Sequence, residues 1–144
     1  MNLDSSAFVA EPELIQALRA RAQVVDCDQD RVLFHQGDQP VGLYILHAGE
    51  VFVTMDSPCG DEVISFCAHP GSLLGLPGVV GNSPYSLSAV ARRGSDVTFV
   101  SRDDFATMML SEPQLSMMIL RMLANEVRSA RMAITGRCPT PRPR

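Results

Sequence analysis

The chain has 144 residues, 46% of them apolar and 19% charged, which excludes a disordered chain and allows one domain but not two ordinary ones. Its net charge of −4 is uneven: residues 1–120 carry 15 acids and 6 Arg, whereas residues 121–144 carry one acid and 6 Arg. The acidic body argues against nucleic-acid binding outside the basic end. Without a run of roughly 18 apolar residues or a secretion signal, we expect no membrane contact and a cytoplasmic protein.

Pro12 lies where a first helical turn tolerates proline, and Leu14, Leu18 and Ala22 recur at helical spacing, which predicts a short N-terminal helix. From Gln23 to Ser101, short apolar runs alternate with turn residues about every ten positions, as in an all-β sandwich or barrel. The runs are Val24–Val25, Val32–Phe34, Leu43–Leu46, Val51–Val53, Val63–Phe66, Leu87–Val90 and Val97–Val100.

The stretch from Leu74 to Pro84 interrupts the rhythm of predicted strands. It contains too much Gly and Pro for a strand and too many apolar residues for a solvated loop. We therefore expect this stretch to pack against the rest of the domain.

After Ser101 the pattern becomes helical and predicts helices over about 102–110 and 112–134. Ser101 with Asp104, and Ser111 with Gln114, resemble capping boxes. One face of the second helix carries Leu115, Met118, Ile119 and Met122. Another has heptad spacing and predicts a homodimer seam or, alternatively, burial against its own domain: Leu120, Leu123, Val127, Ala130 and Ile134. We expect a folded domain over residues 1–135 and a disordered, Pro-rich tail over 136–144.

The order of these elements resembles the cyclic-nucleotide-binding domain of the Crp/Fnr regulator superfamily. The segments that carry the resemblance are Phe34–Asp38, Tyr44–Leu46, Gly49–Val53 and Pro70–Ser72, with Gly37 and Gly49 at turns where that fold places glycine. The resemblance implies a mainly β fold with flanking helices, namely a double-stranded β-helix (jelly roll) with a long C-terminal dimerisation helix. It also implies a helix-turn-helix DNA-binding domain, for which too few residues follow the helix, so we expect no specific DNA binding by this chain alone.

The resemblance places the ligand cassette of the family over Leu74 to Leu87. Gly75 and Pro84 match the family pattern, but Leu76 replaces a Glu that accepts from the ribose and Tyr85 replaces an Arg that pairs with the cyclic phosphate. Losing two charge-assisted hydrogen bonds, each worth about 1.5–3 kcal/mol, weakens binding by roughly 100-fold or more. We therefore expect a non-standard small effector or none. The candidate cassette residues are Gly75, Leu76, Pro77, Gly78, Pro84, Tyr85 and Ser86.

Cofactor chemistry has little support in the sequence. The four cysteines have no C-x-x-C spacing, and His35, His47 and His69 do not form the His-x-His pair of a cupin metal site. No catalytic motif was found, so we expect no enzyme, metal or cofactor. Cys59 lies in a predicted hairpin, where an exposed thiol would be open to oxidation.

These observations favour a non-catalytic sensor module that signals through dimerisation or through a protein partner. Two alternatives stay open at this point. The first is an effector-binding fragment of a transcription regulator that still binds a cyclic nucleotide. The second is a purely structural dimerisation module whose pocket is filled by its own side chains.

Overall fold

The computed structural model of the protein describes residues 4–137, without the side chains of residues 134–137. A 3-10 helix precedes the first α-helix and was not predicted. The elements in chain order are the 3-10 helix Ser5–Phe8, α1 Pro12–Arg19, β1 Gln23–Val25, β2 Arg31–Phe34, β3 Gly42–Ala48, β4 Val51–Asp56, β5 Glu62–Ala68, β6 Leu73–Leu74, α2 Leu76–Gly81, β7 Ser88–Ala91, β8 Asp96–Ser101, α3 Arg102–Ser111 and α4 Pro113–Arg137.

The strands of the described residues form two antiparallel four-stranded sheets, in the orders β1-β8-β3-β6 and β2-β7-β4-β5. Each of the seven apolar runs found in the sequence contributes to one strand, and β6, only two residues long, is the additional strand. The mainly β fold with flanking helices is confirmed. Gly37 and Gly49, predicted at turns, have φ angles of 94° and 93°, in the left-handed region that favours glycine.

Apolar side chains form two core clusters, one on each side of the sheet that contains β3. The first cluster lies under the helices and includes Leu14, Leu18, Leu43, Phe105 and Ile119. The second lies between the two sheets and is built from both of them. Successive residues of a strand point to opposite faces, so β3 contributes Ile45 to the first cluster and Leu46 to the second. The helices and the sheets therefore form a single packed unit.

Of the two predicted N-caps, Ser101 and Ser111, the structure contains only the first. Ser101 caps α3, because its Oγ accepts a hydrogen bond from the backbone N–H of Asp104 at 3.1 Å. The prediction that Ser111 caps α4 is wrong. Ser111 belongs to the last turn of α3, and its Oγ donates to the carbonyl oxygens of Thr107 and Met108 at 2.9 and 3.3 Å. Serine within a helix commonly forms such bonds to the carbonyl groups of the preceding turn.

α4 begins at Pro113 and extends to Arg137, three residues beyond the predicted end. It thus includes the first two residues of the segment that we expected to be disordered, and residues 138–144 of that segment lie outside the described residues. Within residues 4–137, no helix is both long and apolar enough to span a membrane.

Candidate functional site

The candidate cassette begins at a glycine whose conformation and surroundings both require that residue. Gly75 precedes α2 with a φ of 91°. A Cβ added there would lie 2.8 Å from Cε1 of Tyr85. A Cβ at Gly78, in the middle of α2, would lie 3.3 Å from Cδ1 of the same ring. The backbone of the cassette is therefore packed directly against Tyr85.

Tyr85 is held from both ends. Its side chain is buried, with 3% of the residue exposed. Its hydroxyl donates to the Gly42 carbonyl at 2.6 Å and accepts from the N–H groups of Val41 and Gly42 at 3.1 and 3.3 Å. Its ring stacks on Phe34 with 4.1 Å between the centroids. Because a phenol has one donor and two acceptor positions, no hydrogen-bonding capacity remains for a ligand.

Leu76, the other position at which the resemblance predicts a replaced anchor, is fully buried in the core cluster under the helices. It does not line the cavity beside the cassette. The exposed Pro84 also lies outside that lining, so the roles of these two residues in a ligand site stay predictions. The remaining predicted cassette residues do line the cavity: Gly75, Pro77, Gly78, Tyr85 and Ser86.

The cavity itself is small. Its volume is about 20 Å³, and its other lining residues include Phe8 of the 3-10 helix and Phe34 of β2. A single water molecule needs at least about 10–15 Å³ by this measure, whereas pockets for small-molecule ligands have about 300–1,000 Å³. In this conformation the cassette has room for about one water molecule and none for a nucleotide.

Glu126 is the polar residue of the cavity that the sequence interpretation missed. It lies on α4 and lines the cavity together with Tyr85. Its Oε2 atom is buried and has no hydrogen-bond partner. Burial raises the pKa of this carboxyl to about 7. The sequence does indicate that position 126 faces inward, because the spacing of the buried residues Leu115, Ile119 and Met122 continues to this position.

The predicted dimer seam lies mainly on the outer side of α4. Leu120 and Val127 are 55% and 50% exposed, while Leu123 and Ala130 are partly buried. The side chain of Ile134 lies outside the described residues. Val127 also lines a surface groove together with Leu123, Ala124, Arg128, Arg131 and Met132. The helix therefore has one face buried in its own domain and a second apolar face that its own domain leaves uncovered.

Among the residues that the structure describes, no cysteine or histidine lines the cassette cavity. Cys59 is exposed in the turn between β4 and β5, Cys67 is exposed on β5, and Cys27 is buried, which raises the pKa of its thiol. His47 on β3 contacts Arg19 at the end of α1 and Thr98 on β8, and it does not line the cavity. No three His, Cys, Asp or Glu side chains converge as a metal site would need in the part of the chain that the structure describes.

Residues 24–112 match the family described as "Cyclic nucleotide-binding domain". A "CRP-like cAMP-activated global transcriptional regulator" from Mycobacterium tuberculosis is 27% identical over 118 residues, which cover 82% of this chain and 53% of the relative. A "Cyclic AMP receptor protein" from Thermus thermophilus is 26% identical over 102 residues, covering 71% of this chain and 47% of the relative. The chain thus spans about half the length of these curated relatives.

Solved structures show the same fold. The crystal structure of the Thermus thermophilus catabolite activator protein superposes with a TM-score of 0.75 at 23% identity, over 92% of this chain and 62% of that one. The sensor domain of the regulator DNR from Pseudomonas aeruginosa gives 0.64 at 20% identity, over 92% and 87%. The family match covers more than half of the sequence. The chain therefore belongs to the cyclic nucleotide-binding domain family, with homologues of the CRP/Fnr type.

Proposed function

We propose that this chain is a non-catalytic, cytoplasmic regulatory domain that does not bind cyclic nucleotides, because its own side chains close the cassette. Its signal passes through a two-fold homodimer formed along α4. The observation that carries the first half of this proposal is the position of Tyr85. Its ring occupies the space beside Gly75 and Gly78, and its hydroxyl is fully hydrogen-bonded to Val41 and Gly42.

The energetics support a closed cassette. Opening it for a nucleotide would break the three hydrogen bonds of Tyr85 and its stacking on Phe34. Leaving a buried polar group unpaired costs about 1–3 kcal/mol, and an aromatic pair contributes about 0.5–1.5 kcal/mol. A cyclic phosphate would gain no cation in return, because the position that the family fills with Arg is Tyr85. A nucleotide therefore has to offset the free energy of opening the cassette without an Arg that pairs with its phosphate.

The second half of the proposal rests on the outer face of α4. Leu120 and Val127 leave about half of their surface exposed at heptad spacing along one helix. Two copies of such a stripe are self-complementary, because a two-fold axis places the same residues opposite each other. A second copy of this chain is therefore the occupant that we propose for this face.

We also propose that these residues do not recognise a DNA sequence by themselves, because the acidic body gives duplex DNA no favourable surface. The output is then carried by a protein partner or by sequence outside the chain.

We assign no cofactor and no metal to this domain. The exposed thiol of Cys59 supports at most an additional oxidation-sensitive position.

A second candidate function is a domain that still responds to a cyclic nucleotide. The relative from Mycobacterium tuberculosis, described as cAMP-activated, favours it. In this case Tyr85 would leave the cassette when the ligand enters. The two candidates differ in one measurable quantity, namely the affinity for cAMP and cGMP.

Isothermal titration calorimetry with cAMP and with cGMP decides between them. We expect dissociation constants above about 100 μM for both nucleotides, and micromolar binding would establish the second candidate. A Tyr85→Arg variant, checked for folding by circular dichroism, tests the cause. One restored charge-assisted bond is worth about 1.5–3 kcal/mol, so cAMP affinity should rise about tenfold or more if Tyr85 closes the cassette. An unchanged affinity would refute Tyr85 as the group that closes the cassette.

A further inference from the structure

Glu126, a partly buried residue in the middle of α4 whose Oε2 atom is buried, is not explained by the closed cassette or by the dimer seam. Glu126 continues the inward-facing stripe of Leu115, Ile119 and Met122, where a core helix normally carries an apolar residue. Its Oε2 faces the cavity of about 20 Å³ and has no hydrogen-bond partner. A residue with this position is costly to keep, because a buried polar atom without a partner destabilises the folded state.

We propose that Glu126 is a protonation-dependent latch: its neutral carboxyl lets the middle of α4 pack against the closed cassette, and its ionised carboxylate weakens that packing. This inference rests on the proposed function, because it requires the closed cassette. The proton would then be the effector that the domain senses. Val127 of the outer stripe directly follows Glu126, so a change in the packing of α4 reaches the proposed dimer face without any intermediate element.

Within residues 4–137, the groups that line the cavity beside Glu126 offer it no counter-charge. On the cassette side, the titratable residue of the lining is Tyr85, whose hydroxyl is already bonded to Gly42, and the other lining residues are uncharged. On the side of the 3-10 helix, Phe8 lines the cavity. Asp4, just before that helix, accepts from Ser6 through its carboxylate.

α4 itself provides no cation at the positions that face the same way. One turn before and after Glu126, the helix carries Met122, Ser129 and Ala130. The hydroxyl oxygen of Ser129 accepts from the backbone N–H of Asp4 at 3.0 Å, which ties α4 to the start of the 3-10 helix beside the cavity. Ionisation of Glu126 therefore places a charge that no described lining residue compensates where α4, the 3-10 helix and the cassette meet.

The direction in which pH changes the packing of α4 follows from the burial of the Glu126 carboxyl. Burial raises the pKa of Glu126 from 4.5 to about 7. A carboxyl whose pKa is raised by packing stabilises the packed state fully below pH 4.5 and loses that contribution as the pH rises through about 7. Between about pH 5.5 and pH 8, the equilibrium should move toward the loosened helix by on the order of tenfold.

Amide hydrogen exchange along α4 tests the latch. In the wild-type chain, protection factors of residues 122–130, corrected for the intrinsic pH dependence of exchange, should fall about tenfold between pH 5.5 and 8. In a Glu126→Gln variant, which cannot ionise, they should change less than about twofold. Glu62→Gln, which neutralises an exposed carboxylate on β5, is the matched control and should behave as the wild type. An equal fall in the wild type and in Glu126→Gln would overturn the latch.

A second measurement keeps the proposal testable if Glu126→Gln does not fold. The ¹³C shift of the Glu126 carboxyl in the wild-type chain should titrate with a midpoint near 7, and a midpoint below about 5.5 would overturn the latch. Neither experiment contains a nucleotide. A failed latch therefore leaves the closed cassette intact, whereas micromolar cAMP binding would refute the closed cassette whatever Glu126 does.

Discussion

Tyr85 in the cassette and Val127 on α4 both carry hydrophobic side-chain surface, but 3% of Tyr85 and 50% of Val127 is exposed. Tyr85 already has all its partners within the chain, whereas Val127 has surface left to bury. Hydrophobic surface in one domain therefore serves different purposes according to whether the chain itself covers it. Substitutions in the cassette should therefore act on folding, and substitutions on the outer stripe should act on association.

The largest expected effect is on association. In a Val127→Glu variant, an unpaired carboxylate would lie in the seam, at a cost of about 3–5 kcal/mol or a more than 100-fold weaker dimer. We expect a dimer for the wild-type chain and a monomer for the variant at about 100 μM, measured by light scattering.

Asn125→Glu provides the matched control for this prediction. Asn125 is exposed and lies two residues before Val127, about 200° away around the helix. The same charge at that position should leave the dimer intact. A wild-type chain that is monomeric at about 100 μM would refute the dimer and leave the stripe unexplained.

A matched pair of leucines gives the next largest effect, this time on folding. Leu76 is fully buried beside the cassette, whereas Leu120 on the outer stripe is 55% exposed. Leu76→Ala should lower the free energy of unfolding by about 2–5 kcal/mol, and Leu120→Ala by less than about 0.5 kcal/mol. Urea denaturation in the Val127→Glu background measures both values without a contribution from the dimer. Similar losses in the free energy of unfolding at Leu76 and Leu120 would contradict the difference between the covered cassette and the uncovered outer stripe.

Local patterns in the sequence predicted most of the fold. The seven apolar runs became strands, and Gly37, Gly49 and Ser101 act as expected, because turn glycines and helix caps depend on neighbouring residues. The 3-10 helix was not predictable in this way. It is fixed by contacts distant in sequence, such as the stacking of Phe8 on Phe66 with 5.0 Å between the centroids.

The candidate site was only partly predictable for the same reason. The resemblance to the family pattern predicts that Leu76 and Tyr85 replace two family anchors, and this replacement stays a prediction. The hydrogen bonds of Tyr85 to Gly42 join residues 43 positions apart, which no local pattern reveals. The burial of Glu126 likewise depends on the 3-10 helix and the cassette, since periodicity alone shows that position 126 faces inward but not what covers it.

The smallest expected effect is the contribution of His47 to the pH dependence of stability. His47 does not line the cassette cavity, so this contribution is separate from that of Glu126. Arg19 can only donate, so its Nη1 donates to Nδ1 of His47 at 3.3 Å, which leaves the proton of the neutral ring on Nε2, facing Oγ1 of Thr98 at 2.8 Å. Burial, and then the charge of Arg19, lowers the pKa of His47.

A depressed histidine pKa stabilises the fold above the ordinary value of 6.5, and this contribution is lost as the pH falls through the lower, folded value. The sign is opposite to that of Glu126. Because the side chain of Arg19 is 56% exposed, solvent limits the effect to a few tenths of a kcal/mol. Between about pH 7 and pH 5, urea midpoints should fall slightly less for His47→Gln than for the wild type, while His69→Gln, at an exposed site, should match the wild type. Identical pH slopes for both variants would show that His47 does not titrate with folding, and that acid sensitivity arises elsewhere.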